Sequence, residues 1–184
     1  MENTELATFA NGCFWCTEAV FRRLNGVISA IPGYSGGTIP NPSYGQVSSG
    51  ASGHAESIQV EFDPSIISYE KLLEVFWATH DPTTLNRQGA DIGTQYRSAI
   101  FYHDEAQKTI AQESKQNLEA SGKYTDPIVT EITSYKNFYP ASAEHKDFYE
   151  RNRSSSYCRL VIDPKIQKLY KNFKKDLKPD TEEN

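Results

Sequence analysis

Cys13 and Cys16 stand in Asn11-Gly12-Cys13-Phe14-Trp15-Cys16-Thr17-Glu18, where a glycine turn runs into what reads as the first turn of a helix. The start of a helix carries partial positive charge and unpaired N–H groups, which favour a thiolate over a thiol. A cysteine in that place is a good nucleophile. Phe14 and Trp15 follow it directly and supply an apolar wall. The C-x-x-C spacing supports three chemistries. One is redox exchange, in which one thiolate attacks and the other resolves. Another is a metal held by two thiolates a turn apart. The third is burial of two small inert side chains. Zinc needs two more ligands, and neither Cys158 nor any of the four histidines makes a second pair at ligand spacing. Redox exchange is the reading these residues favour.

Other candidates lie in two segments without helical or strand periodicity. Gly53-His54-Ala55-Glu56 leads into an alternating strand. Near a thiolate, repulsion and desolvation would hold the Glu56 carboxyl protonated and make it a general acid; otherwise it is a solvated loop carboxylate. His54 reads as structural. Tyr34, Tyr44 and Tyr96 can each donate a phenolic hydrogen bond while the ring walls a pocket, or simply pack their loops. Asp91, in Gly89-Ala90-Asp91-Ile92-Gly93, either accepts a hydrogen bond from a substrate N–H or forms a turn. That run lacks the lysine and spacing of a phosphate loop, so nucleotide binding is excluded.

The elements that must position these residues follow from periodicity and punctuation. Strands are expected at 6–10, 27–31, 57–62, 98–102 and 128–132. Helices are expected at 13–24, at 69–80 capped by Ser68, at 105–120 capped by Asp104, at 142–151, and from Asp163-Pro164 onward. Residues 32–53 and 81–96 are expected to be long irregular segments, and segments of that length are usually functional when they are ordered. Interleaved strands and helices around one core give an α/β or α+β class.

The chain has 184 residues, which suits one domain over 1–184 with a frayed tail at 179–184. The net charge of -5 argues against nucleic acid as the main partner. The lysines over 165–178 read as a solvated helix face and a charged tail. No apolar run is long enough to span a membrane, and residues 1–8 lack the basic and apolar regions of a signal peptide, so a cytosolic chain is expected. Three cysteines make no structural disulfide framework; the odd count points to reactive thiols.

Six pieces, in order, resemble the A-type peptide methionine sulfoxide reductases. They are Gly12-Cys13-Phe14-Trp15, Gly33-Tyr34-Ser35-Gly36-Gly37, Pro40-Asn41-Pro42-Ser43-Tyr44, Gly53-His54-Ala55-Glu56, His80-Asp81-Pro82 and Gly93-Thr94-Gln95-Tyr96-Arg97-Ser98. The resemblance implies an α/β (α+β) fold, a two-layer sandwich with a mixed sheet, helices packed on it and long irregular loops. It implies reduction of the S epimer of methionine sulfoxide, free or in proteins, as repair of oxidative damage. It implies Cys13 as nucleophile, Glu56 as acid, Tyr44 and Tyr96 as the phenols that hold the sulfoxide oxygen, Phe14 and Trp15 as the wall for the substrate methyl, and Asp91 as a substrate-orienting carboxylate. It implies a sulfenic acid on Cys13, an intramolecular disulfide, and thioredoxin or a similar dithiol as reductant, with no metal or organic cofactor.

Two departures from the family pattern concern the resolving thiol. Many members have glycine where Cys16 stands, and many carry two cysteines near the C-terminus, where here only Cys158 fits. Cys158 matches a resolving position and sits after a serine-rich segment expected to bend, so it is the favoured resolving thiol, with Cys16 the alternative. Two other functional classes compete: a thioredoxin-like oxidoreductase built on C-x-x-C, which gives Glu56 and the tyrosine-rich loops no task, and a zinc-binding interaction module.

Overall fold

The computed structural model describes residues 3–179, so the tail expected at 179–184 falls, beyond Pro179, outside the described residues. The elements in chain order are β1 (Glu5–Asn11), α1 (Phe14–Phe21), β2 (Val27–Ser35), α2 (Tyr44–Ser48), β3 (Ala55–Phe62), α3 (Tyr69–Ala78), β4 (Arg87–Gln88), β5 (Asp91–Ile92), β6 (Ser98–Tyr102), α4 (Glu105–Ala120), β7 (Glu131–Ser134), β8 (Tyr139–Pro140), α5 (Phe148–Arg151) and α6 (Asp163–Phe173). A six-stranded sheet has the order β7-β6-β1-β3-β2-β8, and β4 and β5 form a separate hairpin. The sheet is mixed, because β6 and β7 run parallel while the other pairs are antiparallel. No helix among the described residues is long and apolar enough to cross a membrane.

Strand alternation sorts the two faces. Ala7 and Phe9 of β1, Ile58, Val60 and Phe62 of β3 and Ile100 of β6 point to the helices and join the main core. Phe9 is fully buried and its ring meets Phe21, Tyr69 and Phe76 at centroid distances of 5.4, 6.0 and 5.3 Å. The opposite face is thin: Ala10, Ala55, Ala99 and Phe101 form a small cluster with Tyr135 against it. The architecture is therefore the expected α/β sandwich of a mixed sheet and a helical layer.

In that layer α1 has no polar face. Phe14, Cys16, Thr17, Glu18, Ala19, Val20 and Phe21 are all buried, between β2 and β3 on one side and α5 and α6 on the other. A helix buried on all sides occupies the middle of a core. The one-sided pattern expected for 13–24 is thus replaced by full enclosure, and the helix ends at Phe21.

Several expectations are corrected. Residues 32–35 belong to β2, which runs through Pro32 because β8 pairs it only at Gly33 and Tyr34, near the sheet edge where proline is tolerated. Ser43 and Gln46 form a reciprocal capping box that starts α2 inside the expected loop. The expected strand at 128–132 lies at Glu131–Ser134, since its place is set by parallel pairing with β6. The expected helix at 142–151 is two pieces, a 3₁₀ turn at Ala143–His145 and α5, separated by Asp147 at φ 54°.

Phe9→Ala should cost about 3–5 kcal/mol of unfolding free energy in urea denaturation, the range for emptying an aromatic core position. Ile28→Ala, at a half-exposed position of β2, should stay within about 0.5 kcal/mol.

Candidate active site

The turn into α1 is built for one geometry. Gly12 has φ 105°, a conformation side chains rarely adopt, and a Cβ there would lie 2.8 Å from the Gln88 side chain. Cys13 is the N-cap, extended at ψ 126°, one residue earlier than a first-turn position. Its carbonyl accepts the first helical bonds, from Cys16 N at 3.1 Å and Thr17 N at 3.3 Å. The Thr17 hydroxyl donates to Asn11 Oδ1, closing the turn from β1.

The Phe14 N–H, next along the chain from Cys13, donates to Glu56 Oε2 at 3.0 Å. Glu56 projects from β3 and is only 2% exposed. Burial pushes its carboxyl up to about 8, the Asp91 charge pushes the same way, and the Phe14 N–H opposes them. At neutral pH it keeps its proton.

The thiols respond differently to the same enclosure. Burial, then the neighbouring Cys16, push the Cys13 thiol well above its ordinary value. The hydrogen bond from Cys13 holds Cys16 down, to about 7, against the cost of burial. Burial thus works against the thiolate expected on Cys13 from its helix start, while the shared hydrogen bond favours an anion at Cys16. The reason is that the pair is sealed from water, with a carboxyl on one side of it.

Two irregular segments complete the surround. His54 holds the first: its Nδ1 accepts from Gly37 N at 3.1 Å and its Nε2 donates to Ile39 O at 2.8 Å, which supports the structural reading. Gln95 Nε2 donates to Ser48 O at 3.1 Å and Arg97 to Gly53 O at 3.0 Å, tying the second segment to the first. Tyr44, at the start of α2, and Tyr96, in a 3₁₀ turn, come to one site from these segments. Burial raises both phenols, and both sense charge at Glu56, Cys13 and Asp91. Tyr34 lies in β2 opposite Glu56 in register, its ring 5.7 Å from Phe14 and its hydroxyl buried without a hydrogen-bond partner. The β4–β5 hairpin presents Asp91 and is fastened by Gln88, whose side chain bonds Asp81 N and O at 3.0 and 2.9 Å.

Three residues here went unremarked as site residues in the sequence. Tyr157 donates to Asp91 Oδ2 at 2.8 Å, lies 3.9 Å from Cys16 Sγ and meets Trp15 edge-on. Burial first, then the two thiols, keep its phenol protonated. Its place beside Cys158 was the available signal. Phe148 stacks on Trp15 at 3.7 Å and 7°, and His145 Nδ1 accepts the Trp15 indole N–H at 3.2 Å. Neither stands out in sequence.

Cys13, Cys16, Phe14, Trp15, Tyr44, Glu56, Asp91 and Tyr96 thus converge. Cys158 follows an irregular stretch at residues 152–155 but stands in a helical segment. It is fully buried, opens a wide helical turn at Cys158–Ile162 that continues into α6, and is tied to Ser155 Oγ at 3.2 Å. Among the described residues no group of three or more His, Cys, Asp or Glu is arranged to hold a metal.

Comparison with known proteins finds relatives over most of the chain. A family model described as peptide methionine sulfoxide reductase matches residues 5–177. The peptide methionine sulfoxide reductase MsrA of Sulfolobus acidocaldarius is 54% identical over 169 residues, covering 92% of this chain and 95% of that one. The reduced form of Mxr1 from Saccharomyces cerevisiae superposes with a TM-score of 0.77 at 35% identity, over 84% of this chain and 89% of that one. Mxr1 in complex with Trx2 matches with a TM-score of 0.55 at 28% identity, over 79% and 84%.

The raised Glu56 pKa makes a stability prediction. A carboxyl at 4.5 when unfolded and about 8 when folded favours the folded state fully below pH 4.5, and that contribution is lost as pH rises through about 8. Glu56→Gln should therefore raise the melting temperature relative to wild type at pH 9 and by much less at pH 5, in paired thermal denaturation. A thiolate absorbance step near pH 7 should also disappear in Cys16→Ser.

Proposed function

The chain belongs to the peptide methionine sulfoxide reductase family, oxidoreductases that reduce methionine sulfoxide, and from that premise we propose that it reduces the S epimer, free and in proteins, through a sulfenic acid on Cys13. The observation that carries the proposal is the buried, protonated Glu56 hydrogen-bonded to the N–H that follows Cys13. Sulfoxide oxygen leaves poorly until it is protonated. Glu56 gives its proton to that oxygen while the Cys13 thiolate attacks sulfur, and the oxygen passes to Cys13 as methionine departs. Tyr44 and Tyr96 donate to the oxygen, Phe14 and Trp15 shelter the methyl, and Asp91 orients the substrate. The Cys13 thiol passes its proton to Cys16, to which it is hydrogen-bonded, before attack.

Resolution falls to Cys16. It is one helical turn from Cys13, in the pair whose shared hydrogen bond lowers it. Residues three apart across an N-cap lie within the span a disulfide accepts. Condensation of its thiol with the sulfenic acid releases water. Cys158, the thiol favoured from the sequence, is fully buried in a helical segment that would have to open to bring it to Cys13, which supports Cys16 instead. The Cys13–Cys16 disulfide is exchanged with an external dithiol; Mxr1 in complex with Trx2 supports a thioredoxin-like partner. A thiol cycle of this kind belongs in a reducing compartment such as the cytosol, in one domain spanning the chain.

An assay with separated S and R epimers tests the reaction: turnover is expected on S alone, and equal rates on both would sink the reading. Cys13→Ser should fold and be inactive. Glu56→Gln should slow sulfenic-acid formation by roughly 100- to 10,000-fold in single turnover. Mass mapping after one turnover should find Cys13 joined to Cys16, with Cys158→Ser close to wild type in dithiol-linked turnover; a dominant Cys13–Cys158 link would return resolution to Cys158.

A further inference from the structure

Glu18 has no part in the chemistry above, yet it is a carboxyl only 2% exposed, in the middle of α1. Burying a charged group without a partner is costly, so its partners show what it is for. Both of its oxygens lie 3.0 Å from one backbone donor, the N–H of Asp147. Burial raises Glu18 to about 6 while that N–H, Arg22 and Lys146 oppose the rise, so most of it is ionised at neutral pH. Arg22, one turn along the same face of α1, takes the Asp147 side chain in an ion pair. Asp147 is therefore held twice by α1, once through its backbone and once through its carboxylate.

Asp147 needs holding. Its φ of 54° and ψ of 29° are left-handed, unfavourable for a residue with a Cβ, and such conformations persist when the surroundings fix them. The kink divides the 3₁₀ turn Ala143–His145 from α5 and aims a ring from each side at one target. Phe148 stacks on Trp15, and His145 accepts the Trp15 N–H while its ring also meets Phe14 at 5.3 Å and Tyr44 at 4.5 Å.

We propose that Glu18 is a positioning residue: with Arg22 it clamps Asp147 in its left-handed turn, and through His145 and Phe148 it sets the Trp15 ring in the wall that receives the substrate methyl. The proposal rests on the reading of Trp15 as that wall. A loosened clamp leaves Cys13 and Glu56 in place but lets the wall move, so substrate capture suffers more than the chemical step.

The experiment uses the full chain in a Trp77→Phe background, so that Trp15 is the one emitting tryptophan. Glu18→Ala should raise KM for methionine S-sulfoxide about tenfold while the maximal single-turnover rate stays within about threefold, the signature of lost binding rather than lost transition-state contact. It should also make Trp15 more accessible to acrylamide quenching. Glu18→Gln still offers an oxygen to the Asp147 N–H and should restore KM and quenching to within about twofold of the parent. Folded Glu18→Ala with KM and quenching unmoved overturns the proposal, as does Glu18→Gln failing to rescue either. If Glu18→Ala does not fold, Arg22→Gln at the partly exposed end of the clamp decides in the same way by the same two readouts. Trp15→Ala separates the two ideas. If it leaves KM unmoved the wall reading fails, and quenching in the Glu18 variants still decides whether the clamp sets the ring.

Discussion

A single hydrogen bond, from the Phe14 N–H to Glu56 Oε2, joins the helical layer to the sheet at the point where the chemistry is concentrated. A neutral carboxyl of this kind survives only where water is excluded, and exclusion is a property of the whole fold rather than of one loop. The sheet carries Glu56 inward on the face that holds Ile58, Val60 and Phe62. The fully buried α1 brings Cys13 to it. The two tied loops and the β4–β5 hairpin close the remaining sides. Each part is ordinary packing, and together they keep a proton on Glu56 at the pH where an unfolded chain would have lost it.

Enclosure also divides labour between two cysteines that a sequence treats alike. The residue at the N-cap loses most to burial, and the residue one turn on gains the hydrogen bond that stabilises an anion. The shared hydrogen bond thus raises one thiol and lowers the other. Tyr157 and Asp91 sit on the Cys16 side, so the neutral phenol and the carboxylate bear on the same atom from outside the helix.

What could be read in advance was local. Strand alternation at Ile58, Val60 and Phe62, the caps Ser68 and Asp104, and the glycine before Cys13 each express their structure within a few residues. Glu56, Tyr44 and Tyr96 were legible as candidates because they punctuate segments too polar for core. The rest depends on pairing between distant segments. Pro32 lies in a strand because of what β8 leaves uncovered, and β7 shifts to meet β6. His145, Phe148 and Tyr157 reach Trp15 or Cys16 across more than a hundred residues of chain, and no periodicity announces such contacts. At Cys158 the local signal covers only half of what is found: the serine-rich run before it is irregular, but Cys158 itself opens a helical turn and is fully buried.

The central place of β1 in the sheet governs the order of assembly. It precedes the other described strands in the chain, yet its neighbours are β3, through Thr8 opposite Gln59, and β6, through Thr8 opposite Phe101. A growing chain therefore carries Phe9, Cys13 and Cys16 with no sheet to lie in until β3 is made, and β1 keeps one open edge until β6 follows. Non-local pairing of this kind slows folding and leaves apolar strand edges open to wrong partners. Until Tyr157 has emerged, the thiol pair lacks the phenol beside Cys16. The enzyme is thus most exposed to oxidants and to misassociation while it is still on the ribosome, before it has any chemistry with which to respond.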